Sequence, residues 1–427
     1  MIFYSLKNSK NKTDFKNAVI QGIADDRGLY FPDKITPLKK EFWNTIEQLS
    51  NEEIAFELIK QFVDHINDKH LKKIINETLS FKFPVVQIEN GIFALELFHG
   101  PTMAFKDVGA GFMARCLQEF QTENKITVLV ATSGDTGGAV ANGFYKVKGV
   151  DVVILYPKGK VSEIQEKQLT TLGENITALE VNGTFDDCQE MVKSAFLDTE
   201  ITNKIQLTSA NSINVARWLP QMFYFAFAYK ELKKHQKEIV FSVPSGNFGN
   251  ICAGMLAQKL GMPIKTFIAA TNENNVVTRY LETETYQPKP TIPTISNAMD
   301  VGNPSNFIRI QELYNNDFTS LKKHLKSFTF SDNETKETIK KLYQENNYLA
   351  DPHGAIGYLG LKKFNLSNNQ IGVFLETAHP IKFLDVIYPL INEEITIPKQ
   401  IEKVLNKEKK SIEINQYNEL KKFLIFK

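Results

Sequence analysis

The chain has 427 residues, 42% hydrophobic and 23% charged, an ordinary globular composition too long for one small core. Its 50 Lys and Arg nearly balance 49 Asp and Glu, and a net charge of +1 gives no electrostatic case for nucleic acid or an anionic membrane. A local basic cluster for a small phosphorylated substrate stays open.

Cys116, Cys188 and Cys252 lie far apart and match no metal-ligand spacing, so buried free thiols in a reducing cytoplasm are expected. Met1-Ile2-Phe3-Tyr4 lacks the basic start and apolar run of a secretory leader. No apolar run approaches the ~18 residues of a membrane span.

Residues 1–90 show helical spacing at 15–22, 42–49, 54–62 and 70–79, around a turn at Gly28-Leu29-Tyr30-Phe31-Pro32. A small, largely helical N-terminal domain is expected. The pattern then becomes α/β. Residues 93–98 read as a strand, Gly100-Pro101 as a turn, and the small residues from Gly109 onward as a helix. Apolar runs at 126–131, 151–156, 176–181, 239–243, 265–270 and 371–375 alternate with helical segments, including a long aromatic one at 214–234. Continuous apolar strands separated by helices predict parallel sheet covered on both faces. Residues 283–305, with Pro288, Pro290, Pro293 and Pro304, read as a long loop over a site, and 306–350 as helical. Together 283–350 form an insert. Residues 393–427 are charged and expected to be peripheral.

Five stretches can carry chemistry. Lys106 stands at a strand–loop–helix junction beside Phe105 and Met103, where desolvation and a helix N-terminus disfavour an ammonium and free the amine for imine formation. Ser245-Gly246-Asn247-Phe248-Gly249-Asn250 follows a strand and opens a helix, a pattern that lets backbone N–H groups approach an anion. It is neither a Walker loop nor the usual dinucleotide fingerprint. Thr132-Ser133-Gly134-Asp135-Thr136-Gly137-Gly138 offers hydroxyls and backbone donors at another strand end. Asn211-Ser212 and Arg217 open the long helix, and Arg217 is a candidate anion clamp. Thr377, His379 and Lys382 close the last strand. Taken singly, each has a plainer reading: a solvated lysine, a helix cap, a polar turn, a surface ion pair. No metal site is expected. An imine lysine, a phosphate cradle and a strand-end hydroxyl together describe a pyridoxal phosphate site.

His99-Gly100-Pro101-Thr102, Phe105-Lys106-Asp107 and Ala131-Thr132-Ser133-Gly134-Asp135-Thr136-Gly137 resemble the threonine synthase family in its longer bacterial and fungal form. Gly28-Leu29-Tyr30, Asn211 to Arg217, Pro244 to Asn250, Asn297 to Asn306 and Thr377 to Phe383 extend the resemblance along nearly the whole chain. It implies a two-lobed type II pyridoxal-phosphate fold, like the tryptophan synthase β subunit, with its lobes in 91–282 and 351–392. Lys106 becomes the Schiff-base lysine. Ser245, Gly246, Asn247, Phe248, Gly249 and Asn250 hold the cofactor phosphate, Asp135 lies near the phenolic oxygen, and Thr377 meets the pyridine nitrogen. The implied substrate is O-phospho-L-homoserine, its phosphate received by Thr132, Ser133, Thr136, Asn211, Ser212, Arg217 and Asn247. Elimination of phosphate from Cγ and addition of water at Cβ then give threonine, the last step of its biosynthesis, in a monomer or homodimer. The rivals are a serine/threonine dehydratase or phosphohomoserine lyase of the same fold, and a catalytically idle phosphate-binding or regulatory protein.

Overall fold

The computed structural model describes residues 1–120 and 125–426. Its strands in chain order are β1 (Ile2–Ser5), β2 (Lys12–Asp14), β3 (Tyr30–Pro32), β4 (Val85–Glu89), β5 (Ile92–Glu96), β6 (Ile126–Ala131), β7 (Val150–Pro157), β8 (Ile176–Val181), β9 (Gln206–Ser209), β10 (Glu238–Pro244), β11 (Thr266–Thr271), β12 (Leu325–Thr329), β13 (Gln370–Glu376) and β14 (Ile412–Ile414).

Two sheets define two lobes. The larger runs β12-β11-β10-β13-β5-β4 and the smaller β14-β8-β7-β6-β9. Every pairing in them is parallel except β4 with β5. Strands β6 and β7 are buried along their whole length, because helices cover both faces of the sheet, and their sequences are accordingly continuous apolar runs. Parallel strands bring their C-terminal ends to one edge. The loops after β5, β10 and β13 therefore emerge together from the large sheet, and those after β6 and β9 together from the small one.

The expected helix over 214–234 is divided in three. Val215–Trp218 is α-helical, Leu219–Gln221 a 3-10 turn containing Pro220, and Met222–Leu232 α-helical again. Proline lacks the N–H that a continuous helix would use, so the break falls there. Phe223, Tyr224, Phe225 and Phe227 are all buried at the centre of the main core.

Four local readings change. The N-terminal unit carries its own antiparallel sheet, ordered β2-β1-β3, in strands of three or four residues, too short to show a period. Val85–Glu89, counted with residues 1–90, pairs instead with β5 in the large sheet. Leu325–Thr329, inside the segment read as helical, pairs parallel with β11; its half-exposed residues hide a strand from a helical reading. The C-terminal segment is built in rather than peripheral. Ile412–Ile414 adds to β8, Ile401, Ile414, Leu420 and Leu424 are buried, and Lys409 reaches Glu166 at 2.8 Å and Glu180 at 2.7 Å. Position 427, included in that segment, lies outside the described residues. No described helix is long and apolar enough to cross a membrane.

Candidate active site

Lys106 is the first residue of the helix Lys106–Phe120, which follows β5. The loop before it is folded tightly. Met103 takes a left-handed φ of 58°, and the Asp107 carboxylate turns back to accept from the Thr102 N–H at 2.9 Å and from the Thr102 hydroxyl. Gly100 is required here, since a Cβ would come within 3.0 Å of the Asp107 Cβ and 2.9 Å of the Phe81 ring. The loop is then stitched to the exit of β13: Leu97 N–H donates to Glu376 O at 2.9 Å, Phe105 N–H to Thr377 O at 2.8 Å, and His379 N–H to Met103 O at 3.1 Å.

Lys106 is half-buried, with its amine 5.7 Å from the centre of the Phe105 ring. Burial moves the amine below the usual lysine range; Lys382 and Arg217 push it the same way and Asp135 opposes. Burial also takes the Asp107 carboxyl to about 6 and the His379 imidazole down to about 4, so His379 is neutral at neutral pH. His379 Nδ1 accepts from the Ile381 N–H at 3.1 Å, which makes it a packed, hydrogen-bonded histidine.

The cradle follows β10, which lies beside β13 as β5 does on the other side. With neighbouring strands about 5 Å apart, the Lys106 loop and the Gly246 loop flank Thr377. Thr377 is buried, and its hydroxyl bonds to no described residue. Phe248 adopts φ 59° and turns the chain into the helix Gly249–Lys259. None of the backbone N–H groups from Gly246 to Asn250 has an acceptor among the described residues. Both side-chain polar atoms of Asn250 are buried without a partner among the described residues. A Cβ on Gly246 would sit 2.6 Å from Met299 Cα, so only glycine fits under the segment that covers the loop. Five free donors at a helix start, closed in by backbone, fit a phosphate monoester. Ser245 is the exception in this run. Its N–H bonds to Ala270 O at 2.9 Å and its hydroxyl to Val243 O at 2.8 Å, so both donors are turned into the sheet.

On the small lobe, Thr132 Oγ1 accepts from the N–H groups of Gly134 at 3.0 Å and Gly137 at 2.8 Å, shaping the turn before the helix Asp135–Phe144. Ser133 and Thr136 are half-buried, and their hydroxyls bond to no described residue. The Asn211 amide is similarly free, while Ser212 Oγ accepts from Asn247 Nδ2 and Asn306 Nδ2, both at 3.0 Å. Arg217 is buried against the Lys106 helix, where Gly109 leaves room: a Cβ there would lie 2.8 Å from Arg217 O. One guanidinium nitrogen donates to Ala210 O, and Nε is buried without a partner among the described residues. Burial lowers this guanidinium to about 10, so it remains a cation at neutral pH.

Two features had weak signals in the sequence. Asp135 is paired with Lys382 at 2.6 Å and also accepts from Gln165 Nε2 at 2.9 Å. Burial alone would raise this carboxyl; Lys382 and Lys106 hold it well below the usual carboxylate range. Arg309 is fully buried, stacked 4.4 Å over the Trp218 ring, and donates to Tyr30 O, Ser212 O, Ile213 O and Asn306 Oδ1. It ties the N-terminal unit, the Ser212 loop and the insert together. The near-invisible partners are backbone carbonyls, and the Gly28-Leu29-Tyr30 motif was the available clue. Among the described residues, no group of His, Cys, Asp or Glu is placed to hold a metal ion.

A desolvated lysine at a helix start, an anion cradle two strands away and a free hydroxyl between them define a two-lobed, type II pyridoxal-phosphate enzyme. A family model described as pyridoxal-phosphate dependent enzyme matches residues 77–375, and one described as threonine synthase N terminus matches 2–79. The chain belongs to the threonine synthase family. It is 43% identical over 432 residues to the threonine synthase of Buchnera aphidicola from Acyrthosiphon pisum, with 100% of both chains covered. The crystal structure of threonine synthase from Escherichia coli superposes with a TM-score of 0.94 at 39% identity, covering 100% of both chains. A PLP-bound threonine synthase from Brucella melitensis gives 0.93 at 31% identity, covering 100% of this chain and 99% of that one.

Proposed function

We propose that this chain converts O-phospho-L-homoserine and water to L-threonine and inorganic phosphate, using pyridoxal 5'-phosphate. The observation that carries the choice of substrate is Arg217. It is a buried cation with no carboxylate in ion-pair distance among the described residues and an unpartnered Nε, packed against the Lys106 helix. The Gly246–Asn250 donors already suit the cofactor phosphate, so Arg217 supplies a second anion site, which a phosphorylated substrate needs and free serine does not.

When bound, the cofactor supplies the electron sink that makes protons on the substrate's Cα and Cβ acidic. The residues do the rest. Gly246, Asn247, Phe248, Gly249 and Asn250 hold its phosphate, and Thr377 presents a hydroxyl to the ring nitrogen. A hydroxyl, unlike a carboxylate, does not enforce protonation there. Lys106 would hold the cofactor, and its Nζ would move protons at the substrate's Cα and Cβ; its lowered basicity suits that task. Arg217, with Asn211, Ser212, Asn247, Thr132, Ser133 and Thr136, orients the substrate phosphate and receives it as it leaves. Residues 283–350 cover the site, a reading supported by Met299 against Gly246 and by Asn306 bonded to Ser212. Water must stay out until phosphate departs, which favours lobe closure. Buried free thiols at Cys116, Cys188 and Cys252 support a cytoplasmic setting.

The test is direct. Purified protein with the cofactor and O-phospho-L-homoserine should release threonine and phosphate in equal amounts, and Lys106→Ala should release neither and lack the visible cofactor band. Production of 2-oxobutyrate in place of threonine, or full activity in Lys106→Ala, overturns the reading.

A further inference from the structure

Asp135 and Lys382 face each other across the cleft. Asp135 opens the helix that follows β6 in the small sheet, and Lys382 lies in the 3-10 turn Pro380–Phe383 that follows β13 in the large one. Their side chains are 4% and 0% exposed, and Nζ stands 2.6 Å from Oδ1. A pair this buried recovers little stability after desolvation, so its position is the informative feature. The third ionisable group is Lys106. Asp135 favours a proton on the Lys106 nitrogen, while Lys382 and Arg217 oppose one. The other groups on elements packed around it are committed elsewhere: Asp107 to Thr102, the Tyr224 hydroxyl to Phe105 O, and His379, which is neutral, to the Ile381 N–H. Burial acts most strongly on Lys106, Asp135 is the carboxylate that opposes it, and Lys382 holds that carboxylate.

We propose that Lys382 is a positioning residue for Lys106: by engaging Asp135 across the cleft it denies that carboxylate to the Lys106 nitrogen and keeps the nitrogen a proton acceptor. The proposal rests on the role given to Lys106 above. It makes the two lobes share one electrostatic unit, so that parting them would unpair Asp135 and leave Lys106 as its nearest cation.

The test compares the wild type, Lys382→Gln, Asp135→Asn and the double variant, each as the full-length holoenzyme, by the pH midpoint of the visible cofactor band. A second readout is the pH dependence of Lys106 acetylation by acetic anhydride after cofactor removal, followed by mass spectrometry. Losing Lys382 leaves an unpaired carboxylate and should raise both midpoints by about one pH unit. Losing the Asp135 charge leaves a cation and should lower them by a similar amount. The double variant should return close to the wild type. A purely structural pair would weaken folding in both single variants and move neither midpoint. Unmoved midpoints, or shifts in the same direction, overturn the proposal. If Lys382→Gln does not fold, Asp135→Asn decides alone: a downward shift supports the proposal and any other result ends it. Borohydride fixation of the wild type separates the two levels. Cofactor absent from the Lys106 peptide removes the assigned role of Lys106 and this inference with it; cofactor present with unmoved midpoints removes this inference only.

Discussion

The backbone N–H of Phe105 donates to the carbonyl of Thr377 at 2.8 Å, so the residue before the lysine and the strand-end threonine are fixed to each other by main chain. Lys106 and the Thr377 hydroxyl inherit their separation from that bond and from the Ala104–Ala378 bridge beside it. Side-chain substitutions at Thr377 can therefore test its chemistry without disturbing the lysine.

Thr377→Val removes the hydroxyl and keeps the shape and the carbonyl. One lost hydrogen bond is worth about 1 kcal/mol, so kcat/KM should fall roughly 5- to 10-fold while thermal stability changes little. Thr377→Ser should retain most of the activity. Steady-state kinetics on both variants checks this, and equal activity of Val and wild type would remove the hydroxyl from the site.

Gly246→Ala places a methyl 2.6 Å from Met299 Cα and 3.1 Å from Ala298 O, both backbone atoms that cannot rotate away. Overpacking of this kind costs about 1–3 kcal/mol. Cofactor affinity, titrated by absorbance, should drop about 10- to 100-fold. Wild-type affinity would mean that the covering segment gives way freely.

Glu376 is fully buried, its Oε2 has no partner among the described residues, and burial together with nearby Asp351 raises its carboxyl well above the usual range. The folded state therefore takes up a proton that the unfolded state releases above about pH 4.5. This group's contribution is fully present below that pH and is lost as pH rises towards the folded value. Glu376→Gln keeps an acceptor for the Asp351 N–H, 2.5 Å away, without that proton. The variant's stability relative to wild type should climb with pH above about 4.5, with a slope approaching 1.4 kcal/mol per pH unit. Urea unfolding at a series of pH values measures it; a flat difference would mean that Glu376 is ionised in the fold.

Arg309→Met keeps much of the volume over Trp218 and removes every donor to Tyr30 O, Ser212 O and Ile213 O. Leaving buried carbonyls unpaired should destabilise the protein by about 3 kcal/mol or more, read as a lower urea midpoint. Arg309→Lys should recover only part, because an ammonium cannot reach all three carbonyls in one plane. An unchanged midpoint in Arg309→Met would show that solvent replaces those bonds.

What could be read from the sequence follows what leaves a local trace. β8 carries its apolar pattern within a few residues and falls at the expected position. Gly246 and Lys106 stand in short motifs whose chemistry is local. β12 and β14 had no such trace: each is an edge strand, largely half-exposed or exposed, and defined by the neighbour it joins. The Asp135–Lys382 pair links positions 247 apart, and nothing in either neighbourhood names the other. Ser245 looked like part of the anion loop from its place in the motif, and only the register of β10 beside β11 shows its donors already used.

β14 gives the small lobe an edge contributed from far along the chain. On the ribosome, β6 to β9 emerge early, yet the outer side of β8 stays bare until Ile412–Ile414 has been made, and β10 to β13 of the large sheet are synthesised in between. An exposed parallel edge is a template for unwanted pairing. The half-made protein is thus most vulnerable to self-association during the time it takes to translate the rest of the other lobe, and slowing translation between positions 181 and 412 should lower the yield of folded enzyme more than the same delay placed earlier.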